Sequence, residues 1–206
     1  TEVHSLLDQG LQQLADAIGA SLATVRRDLE TLETKGFLDR TFGGASLRAR
    51  ALLRLEPGHA VSAHIRHDEK VAIGNAAAAR IEPYQSVIFD SSSTVREAAR
   101  AVLERNVPIT AITNDILIAQ MLANSSAITV MTIGGRVRTG SMTLFGSPGE
   151  EFLGGVKADL ALIGAHAVTL DGPSEVAIEI TRIKQLMAGA ARCVRVLADH
   201  TKLGDA

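Results

Sequence analysis

The sequence predicts an α/β protein in two parts, a small helical domain with a hairpin and a larger domain built on a mainly parallel sheet. Helical spacing of apolar residues and a Gly-Gly hairpin signal occupy the first 47 residues. From about Val71, segments with helical spacing alternate with short runs that are apolar throughout. Of the 206 residues, 46% are hydrophobic and 3% aromatic, so we expect aliphatic cores, and the composition disfavours stacking of aromatic side chains on bases.

Two short helices separated by a tight turn are predicted at the start of the chain. The first ends at Gly19-Ala20, and Ser21 is placed to cap the second, which Gly36 ends. The apolar positions that define the two helices are Leu11, Leu14, Ala15 and Ile18, followed by Leu22, Val25, Leu29 and Leu32. The pattern is that of a helix-turn-helix.

A β-hairpin is predicted directly after these helices. Residues 37–42 form its first strand, Gly43 and Gly44 supply the positive φ that a tight turn requires, and residues 45–47 return. A helix-turn-helix followed by a hairpin is the outline of a winged helix-turn-helix domain. We place this domain at residues 1–55 and a linker at residues 56–68.

The larger domain, at residues 69–206, is predicted to be Rossmann-like. Its predicted helices cover residues 69–81, 94–105, 115–123 and about 175–191, and its predicted strands cover residues 86–90, 109–113, 128–133, 160–164 and 193–198. Strands that are apolar on both faces and alternate with helices predict a parallel sheet covered on two sides. On such sheets, ligands bind where strands end and helices begin.

The second helix of the first domain is a candidate for reading DNA, because the N-terminal end of that helix enters the major groove in this motif. Its apolar stripe leaves polar side chains for the duplex, and these are Ser21, Thr24, Arg26 and Arg27. Arginine can pair with two acceptors of guanine, and hydroxyls can bond phosphates or base edges. Helix-turn-helix outlines also occur as protein-binding or purely structural units, and that alternative stays open.

The charge of the chain gives two opposing indications about nucleic-acid binding. The net charge of −2 by itself counts against nucleic-acid binding. However, no acidic residue lies between Arg40 and Arg54, a segment that also contains Arg48 and Arg50. This arginine segment suits phosphate contact, and the alternative is a solvated linker.

Three polar loops follow successive predicted strands of the larger domain. The loops are Asp90-Ser91-Ser92-Ser93-Thr94, Thr113-Asn114 and Gly134-Gly135-Arg136. Hydroxyls and the free N–H groups of a first helical turn can hold an anion such as phosphate, and Arg136 could neutralise it. Each loop alone is more typical of a cap or a turn, but their shared placement predicts one binding site.

The first domain resembles the DeoR family of bacterial transcription regulators. The resemblance rests on Ser21-x-x-Thr24-Val25-Arg26-Arg27-Asp28-Leu29, on Leu32-Glu33 and Gly36, and on the wing Arg40-x-x-Gly43-Gly44-Ala45. It implies operator binding through Ser21, Thr24, Arg26, Arg27, Arg40, Gly43 and Gly44. Phe42 departs from the family's usual His.

The larger domain is similar to the sensor domain of the same family. The matching positions are Arg66, Lys70, Asp90 to Thr94, Thr113-Asn114, Gly134-Gly135, Gly164, Lys184 and Ala198-Asp199-x-x-Lys202-x-Gly204. That sensor is similar in fold to ribose-5-phosphate isomerase and glucosamine-6-phosphate deaminase, so the resemblance implies a phosphorylated sugar as effector. Gly164, Lys184 and Lys202 join the three loops as candidate effector-binding residues. Ser92 departs from the family's usual Gly.

Catalysis is the main rival to regulation. The acid and base groups Asp90, Glu175, Glu179, Lys184, Asp199 and Lys202 could transfer protons on a sugar phosphate, but their spacing does not require it, and we assign no catalytic residue. A sugar-phosphate isomerase or deaminase with an accessory N-terminal module remains the alternative. His59, His64 and His67 are expected to be linker residues, so no metal or cofactor is expected. His166 is either a ligand contact or a loop residue, and Cys193 is expected to be buried.

The partners and location follow from these interpretations. No stretch of 18 apolar residues, no leader segment and no possible intrachain disulfide occur, so we expect a cytoplasmic protein without membrane contact. One winged helix makes few contacts, so we expect a homodimer or homotetramer on operator DNA. The expected function is a repressor of carbohydrate metabolism genes that responds to a phosphorylated sugar.

Overall fold

A computed structural model of the chain describes residues 10–13, 15–16, 18–34, 38–41, 44–47, 66–138 and 141–204. The chain divides into two compact units between Glu56 and Pro57. Within the described residues, no helix is long and apolar enough to cross a membrane.

The N-terminal unit contains the predicted helices and hairpin. Helical residues 10–13, 15, 16 and 18 stop at Gly19, whose φ is +66°. Helix α1 (Leu22–Thr34) follows, and the Ser21 hydroxyl caps it by accepting the backbone N–H of Thr24 at 3.1 Å. Val25 is buried at 2% exposure, as the apolar stripe predicts.

Strands β1 (Leu38–Thr41) and β2 (Gly44–Leu47) form the antiparallel hairpin of this unit. Gly44 already belongs to β2, where it pairs with Thr41, so the prediction that it lies in the turn is wrong. The predicted stop at Gly36, the turn residue Gly43 and the arginines Arg48, Arg50 and Arg54 lie outside the described residues.

The second unit alternates helices and strands. Its first half consists of α2 (His67–Ala78), β3 (Ser86–Phe89), α3 (Ser93–Arg105), β4 (Ile109–Thr113), α4 (Ile116–Leu122) and β5 (Ile128–Thr132). Its second half consists of β6 (Arg136–Val137), β7 (Leu144–Phe145), α5 (Gly149–Gly155), β8 (Ala158–Gly164), β9 (Ala167–Thr169), β10 (Gly172–Ser174), α6 (Ile178–Ala190), β11 (Ala191–Leu197) and a 3₁₀ turn (His200–Lys202).

Five strands form one sheet in the order β11-β8-β3-β4-β5, and every neighbouring pair is parallel. The predicted mainly parallel α/β sheet is therefore confirmed. Because all five strands run the same way, their carboxyl ends lie along one edge, which we call the carboxyl edge.

Apolar side chains cover both faces of this sheet. Val87 and Phe89 of β3 pack on one side with residues of α2, α3 and α4, whereas Ile88 packs on the other side with Ile183 and Met187 of α6. Helices α2 and α3 cross closely, because a Cβ at Gly74 would lie 2.6 Å from the backbone of Glu97. Burying both faces of the central strands explains why they are apolar throughout.

The edge strands differ from the sequence-based expectation. Cys193 in β11 is exposed, so the prediction that it is buried is wrong. Val194 in β11 and Met131 in β5 are 42% and 40% exposed. A strand with a neighbour on one side only is less covered, and an apolar run does not distinguish it from a central strand.

Candidate functional site

The three predicted loops lie at the carboxyl edge. Asp90 follows β3, Asn114 follows the neighbouring β4, and Gly134 comes shortly after β5. Gly164 ends β8 on the other side of β3. The parallel sheet therefore brings together residues that are far apart in sequence, as the hydrogen bond from the Gly164 backbone N–H to Asp90 Oδ2, across 74 residues, shows.

A buried ion cluster of Asp90, Lys184 and Glu175, which we call the triad, lies at this edge. The Lys184 ammonium lies 3.1 Å from Asp90 Oδ2, bonds Glu175 Oε1, and donates to the carbonyl oxygen of Gly164 at 2.8 Å. The side chains of Asp90 and Glu175 are 1% and 9% exposed. An ammonium has three N–H donors, so all of those on Lys184 are engaged.

The triad determines the charge state of Lys184. Burial alone lowers the pKa of Lys184, but attraction to Asp90 and Glu175 and hydrogen bonds to both outweigh burial, so its pKa is raised above the ordinary value. Lys184 therefore stays an ammonium at neutral pH.

Two buried side chains at the carboxyl edge have polar atoms without a hydrogen-bond partner. Among the described residues, Asp90 Oδ1 and both the Oδ1 and Nδ2 atoms of Asn114 are buried without a hydrogen-bond partner. Asp90 and Asn114 are each 1% exposed. Because an unpaired buried polar group costs free energy, these atoms mark a place that is suited to a hydrogen-bonding ligand.

The serine loop opens helix α3. Ser92 is the N-cap, and its hydroxyl accepts the backbone N–H of Val95 at 3.3 Å. The Ser92 side chain also packs on Gly164, where an added Cβ would lie 2.3 Å from the Ser92 hydroxyl oxygen. Ser91 has a different role, since its hydroxyl lies 2.6 Å from that of Thr143. Ser93 and Thr94 form the first turn of α3, where backbone N–H groups lack helical acceptors.

The segment before β7 crosses the ends of β3 and β4. Thr143 contacts Ser91 and bridges to Asp115, and the backbone N–H of Leu144 donates to the carbonyl oxygen of Asn114 at 2.7 Å. Thr143 is 3% exposed. This segment closes one side of the site, and it was not predictable from the sequence, because β6 and β7 have only two residues each.

Thr113 and Asp115 stabilise the loop that follows β4. The Thr113 hydroxyl donates to the carbonyl oxygen of Phe89 at 2.8 Å and accepts the backbone N–H of Asp115 at 3.0 Å. Asp115 caps α4 and pairs with Arg96 of α3 at 2.9 Å. Thr113 thus binds strand β3 to β4 with its side chain, a structural contact rather than an open ligand group.

The glycine loop after β5 is tightly packed. Gly134 and Gly135 have φ values of +76° and +113°, and a Cβ at Gly135 would lie 2.6 Å from the carbonyl oxygen of Phe145. The guanidinium of Arg136 lies over the Phe145 ring, 4.8 Å from its centroid. Arg136 is exposed, so its charge is accessible to solvent.

Lys202 belongs to a second charged cluster, with Lys70 and Asp199. Burial lowers the pKa of Lys70, and the charge of Lys202 lowers it further, against the attraction of Asp199. For Asp199, burial raises the pKa, but hydrogen bonds from Thr201 and the charges of both lysines lower it more. Lys202 interacts with this cluster, and none of the described contacts of the triad involves it.

His166, which the sequence offered as a ligand contact or a loop residue, lies in the loop after β8. His166 is exposed just after β8, where its backbone N–H donates to the carbonyl oxygen of Ser174. A groove of about 270 Å³ lies between α2 and α3, lined by residues such as Asn75 and Arg100 and by none of the candidate site residues. Among the described residues, no group of His, Cys, Asp and Glu is arranged to hold a metal ion.

The candidate DNA-reading residues lie on the exposed side of α1. Arg26 and Arg27 are exposed, and Arg27 Nε lies 4.0 Å from the carboxylate of Asp28. The hydroxyls of Ser21 and Thr24 lie 2.8 Å apart at the start of the helix. Arg40 lies in β1, next to the hairpin turn.

Comparison with family models identifies the chain. A model described as the DeoR C terminal sensor domain matches residues 65–206, and one described as the DeoR-like helix-turn-helix domain matches residues 5–50. The chain belongs to the DeoR family of transcriptional regulators. The resemblance read from the α1 and strand-end motifs is therefore confirmed.

Curated relatives of this DeoR-family chain match over nearly its whole length. The HTH-type transcriptional regulator GolR of Listeria innocua is 32% identical over 98% of this chain and 81% of its own. The HTH-type transcriptional repressor GlcR of Bacillus subtilis is 33% identical over 94% of this chain and 73% of its own.

A solved structure, ribose 5 phosphate isomerase A from Neisseria gonorrhoeae, shares the fold with a TM-score of 0.50 and 14% identity. The match covers 67% of this chain and 54% of the isomerase. The DeoR-family chain thus matches about half of that enzyme, and the likeness concerns the fold alone.

Proposed function

We propose that this DeoR-family chain is a cytoplasmic repressor of carbohydrate metabolism genes whose operator binding is controlled by a phosphorylated sugar. The single observation that carries the effector part is the set of unpartnered buried atoms of Asp90 and Asn114 beside the start of α3. The proposal assigns two tasks to two units, DNA binding to residues 1–55 and effector binding to residues 69–206, with residues 56–68 as the linker.

DNA binding is assigned to α1 and the hairpin. The N-terminal turns of α1 present Arg26 and Arg27 to solvent, and its buried stripe holds the opposite side in the unit. In this motif that end of the helix lies in the major groove. Ser21, Thr24, Arg40, Gly43 and Gly44 are the further proposed contacts, to phosphates and to the groove beside the hairpin.

The effector's phosphate is assigned to the first turn of α3. N–H groups at a helix start and the helix dipole favour an anion there. The remaining proposed contacts at the carboxyl edge are Ser91, Ser92, Gly134, Gly135, Arg136, Gly164, Lys184 and Lys202, whereas the Thr113 hydroxyl is engaged by Phe89 and Asp115 and supports the loop. Of these, Lys184 acts through Asp90, because its own donors are engaged.

Regulation requires that the effector bind more tightly to the conformation that disfavours DNA. A tenfold loss of operator affinity needs about 1.4 kcal/mol of such preference. We propose a symmetric dimer or tetramer, because a single winged helix offers too few contacts for tight operator binding.

The proposal is tested with operator DNA selected from a random pool by the purified chain. Sugar phosphates that raise the melting temperature are then added to a mobility-shift titration. We expect at least one of them to change the operator affinity. Asp90→Ala should abolish this response while DNA binding persists, and loss of both activities would instead assign Asp90 a folding role.

An isomerase or deaminase is the second candidate, because Asp90, Glu175 and Lys184 place acid and base groups together at the carboxyl edge. In the triad, however, the Lys184 donors already bond protein acceptors, which leaves no free ammonium proton for a substrate. Turnover of aldose and ketose phosphates by the full chain would favour this candidate over the repressor.

A further inference from the structure

Three hydroxyl groups form a hydrogen-bonded row beside the serine loop, which we call the hydroxyl chain. The hydroxyl oxygens of Ser91 and Thr143 lie 2.6 Å apart, and the Ser141 hydroxyl donates to that of Thr143 at 3.1 Å. Thr143 is 3% exposed, and the two serines are half-buried. Ser91 and Thr143 are 52 residues apart in sequence, so the tertiary structure, and not a local turn, brings them together.

The protons of the hydroxyl chain can be arranged in two ways, because a hydroxyl has one donor and two acceptor positions. In the first arrangement, Ser91 donates to Thr143, and Thr143 donates to the carbonyl oxygen of Ser141 at 3.4 Å. In the second arrangement, Thr143 donates to Ser91, and the Ser91 proton becomes available to another acceptor. The second arrangement gives up only this long hydrogen bond to the Ser141 carbonyl oxygen, so it costs little free energy.

Ser91 lies where an anionic acceptor is proposed to bind. It precedes the first turn of α3, whose backbone N–H groups favour an anion. Asn114 is 1% exposed at the same edge, and among the described residues its Nδ2 atom is a buried donor without a hydrogen-bond partner. The backbone of Asn114 also bonds Leu144, directly after Thr143. Because an anionic oxygen only accepts hydrogen bonds, it can bond the Ser91 hydroxyl only in the second arrangement.

We infer that Thr143 and Ser141 are positioning residues, which turn the Ser91 proton toward the anionic group of the effector without contacting that group themselves. This inference rests on the proposed function, since it assumes that an anionic group binds at the start of α3. In a row of hydroxyls each hydrogen bond polarises the next, so Ser91 becomes a better donor. Thr143 should therefore affect anion binding only while the Ser91 hydroxyl is present.

A double-mutant cycle on the full chain tests this dependence. Calorimetric titrations with inorganic phosphate and with glucose 6-phosphate are made at constant ionic strength. Thr143→Val keeps the shape of the side chain but removes its hydroxyl, and we expect the affinity for the phosphate probe to fall about three- to tenfold. Ser91→Ala should also weaken binding. In the Ser91→Ala protein, Thr143→Val should cause no further loss, because both substitutions then act on the same contact.

Two further variants control for packing. Thr143→Ser keeps a hydroxyl and should retain most of the affinity for the phosphate probe. Thr110→Val makes the same change at a half-buried position near the opposite end of β4, and it should leave the affinity unchanged. If Thr143→Val does not fold, Ser141→Ala takes its place in the cycle, because it removes the next donor of the hydroxyl chain.

The outcomes separate the inference from the proposed function. An equal loss of affinity from Thr143→Val with and without the Ser91 hydroxyl would show that Thr143 shapes the site by packing alone. Unchanged or tighter binding in Thr143→Val would show that Thr143 does not direct the Ser91 proton outward. Either result overturns the inference while the proposed function stands. If neither phosphate probe binds the unmodified chain while operator DNA still does, the proposed effector class is wrong and the inference falls with it.

Discussion

The contacts of Lys184 differ from those expected of a direct effector contact. Its charge and its place in the family motif suggest contact with the effector. In the structure its ammonium is enclosed by Asp90, Glu175 and the carbonyl oxygen of Gly164. Glu175 could not be chosen as its partner from the sequence, because it lies nine residues away in a loop and not at helical spacing.

Lys184→Met should destabilise the protein by about 3–5 kcal/mol at neutral pH, because it removes the buried cation that pairs with Asp90 and Glu175. The pKa of Lys184 is raised in the folded state, so its contribution is complete below the unfolded value of about 10.4. The contribution disappears as the pH rises through the still higher folded pKa. Urea unfolding of both proteins between pH 7 and pH 11 measures the difference.

The control for this prediction is Arg182→Met on the same helix. Arg182 is 58% exposed and lies 3.6 Å from Glu150, so its loss should cost at most about 1 kcal/mol. An equal cost for the two substitutions would contradict the role that we give to Lys184.

Gly164→Ala should disrupt the contact between β8 and the serine loop. The added Cβ would lie 2.3 Å and 2.5 Å from the Oγ and Cβ atoms of Ser92, which must move and release the cap of α3. We expect a loss of about 1–3 kcal/mol in the free energy of unfolding. Ser92→Gly combined with Gly164→Ala should recover the packing part of that loss.

Gly189→Ala is the control for this packing prediction, because no heavy atom lies within 4 Å of its added Cβ. That helical substitution should leave stability unchanged or raise it. Thermal unfolding measures all the variants. A Gly164→Ala protein as stable as Gly189→Ala would show that Ser92 has room to move.

At the scale of elements, the sequence was sufficient to predict a helix or strand where the local residue pattern agrees with the tertiary environment. The largely apolar strands at residues 109–113 and 160–164 flank the central strand β3, and α3 has both a capping Ser92 and an amphipathic stripe. The pairs β6–β7 and β9–β10 were missed, because strands of two or three residues have no readable period. The burial of Thr143 against Ser91 therefore could not be predicted either.

Helix α1 carries the prediction for DNA binding. Arg26→Ala or Arg27→Ala should weaken specific operator binding by about 1–3 kcal/mol if the residue reads a base, with relaxed specificity at that position. If the residue contacts phosphate, the loss should be uniform across sequences and the slope of affinity against salt should fall by about one. Mobility-shift titrations at several salt concentrations separate the two contacts.

Arg192→Ala is the matched control for α1, because this arginine of β11 is 82% exposed and belongs to the other unit. It removes the same charge and should leave operator binding unchanged. An equal effect of all three substitutions would mean that net charge, rather than α1, governs binding.

At the scale of the whole molecule, the proposed function requires that effector binding and operator binding be linked through a shared equilibrium. A net charge of −2 disfavours long-range attraction as the main source of DNA affinity, so we expect the operator contacts to be local. The proposed dimer or tetramer would place at least two copies of α1 on one operator. The effector then acts most simply by changing the distance or angle between the copies.

The spacing of operator half-sites tests this arrangement. A symmetric dimer places its reading helices on one face of DNA, about 10–10.5 base pairs or a multiple apart. Inserting about 5 base pairs between the half-sites rotates one of them by half a turn, so we expect at least a tenfold loss of affinity in a mobility-shift titration. Inserting about 10 base pairs returns the two half-sites to the same face of the DNA and should recover part of the affinity. An affinity that is indifferent to spacing would mean that each winged helix binds DNA independently, and the effector could then not act through the geometry between copies.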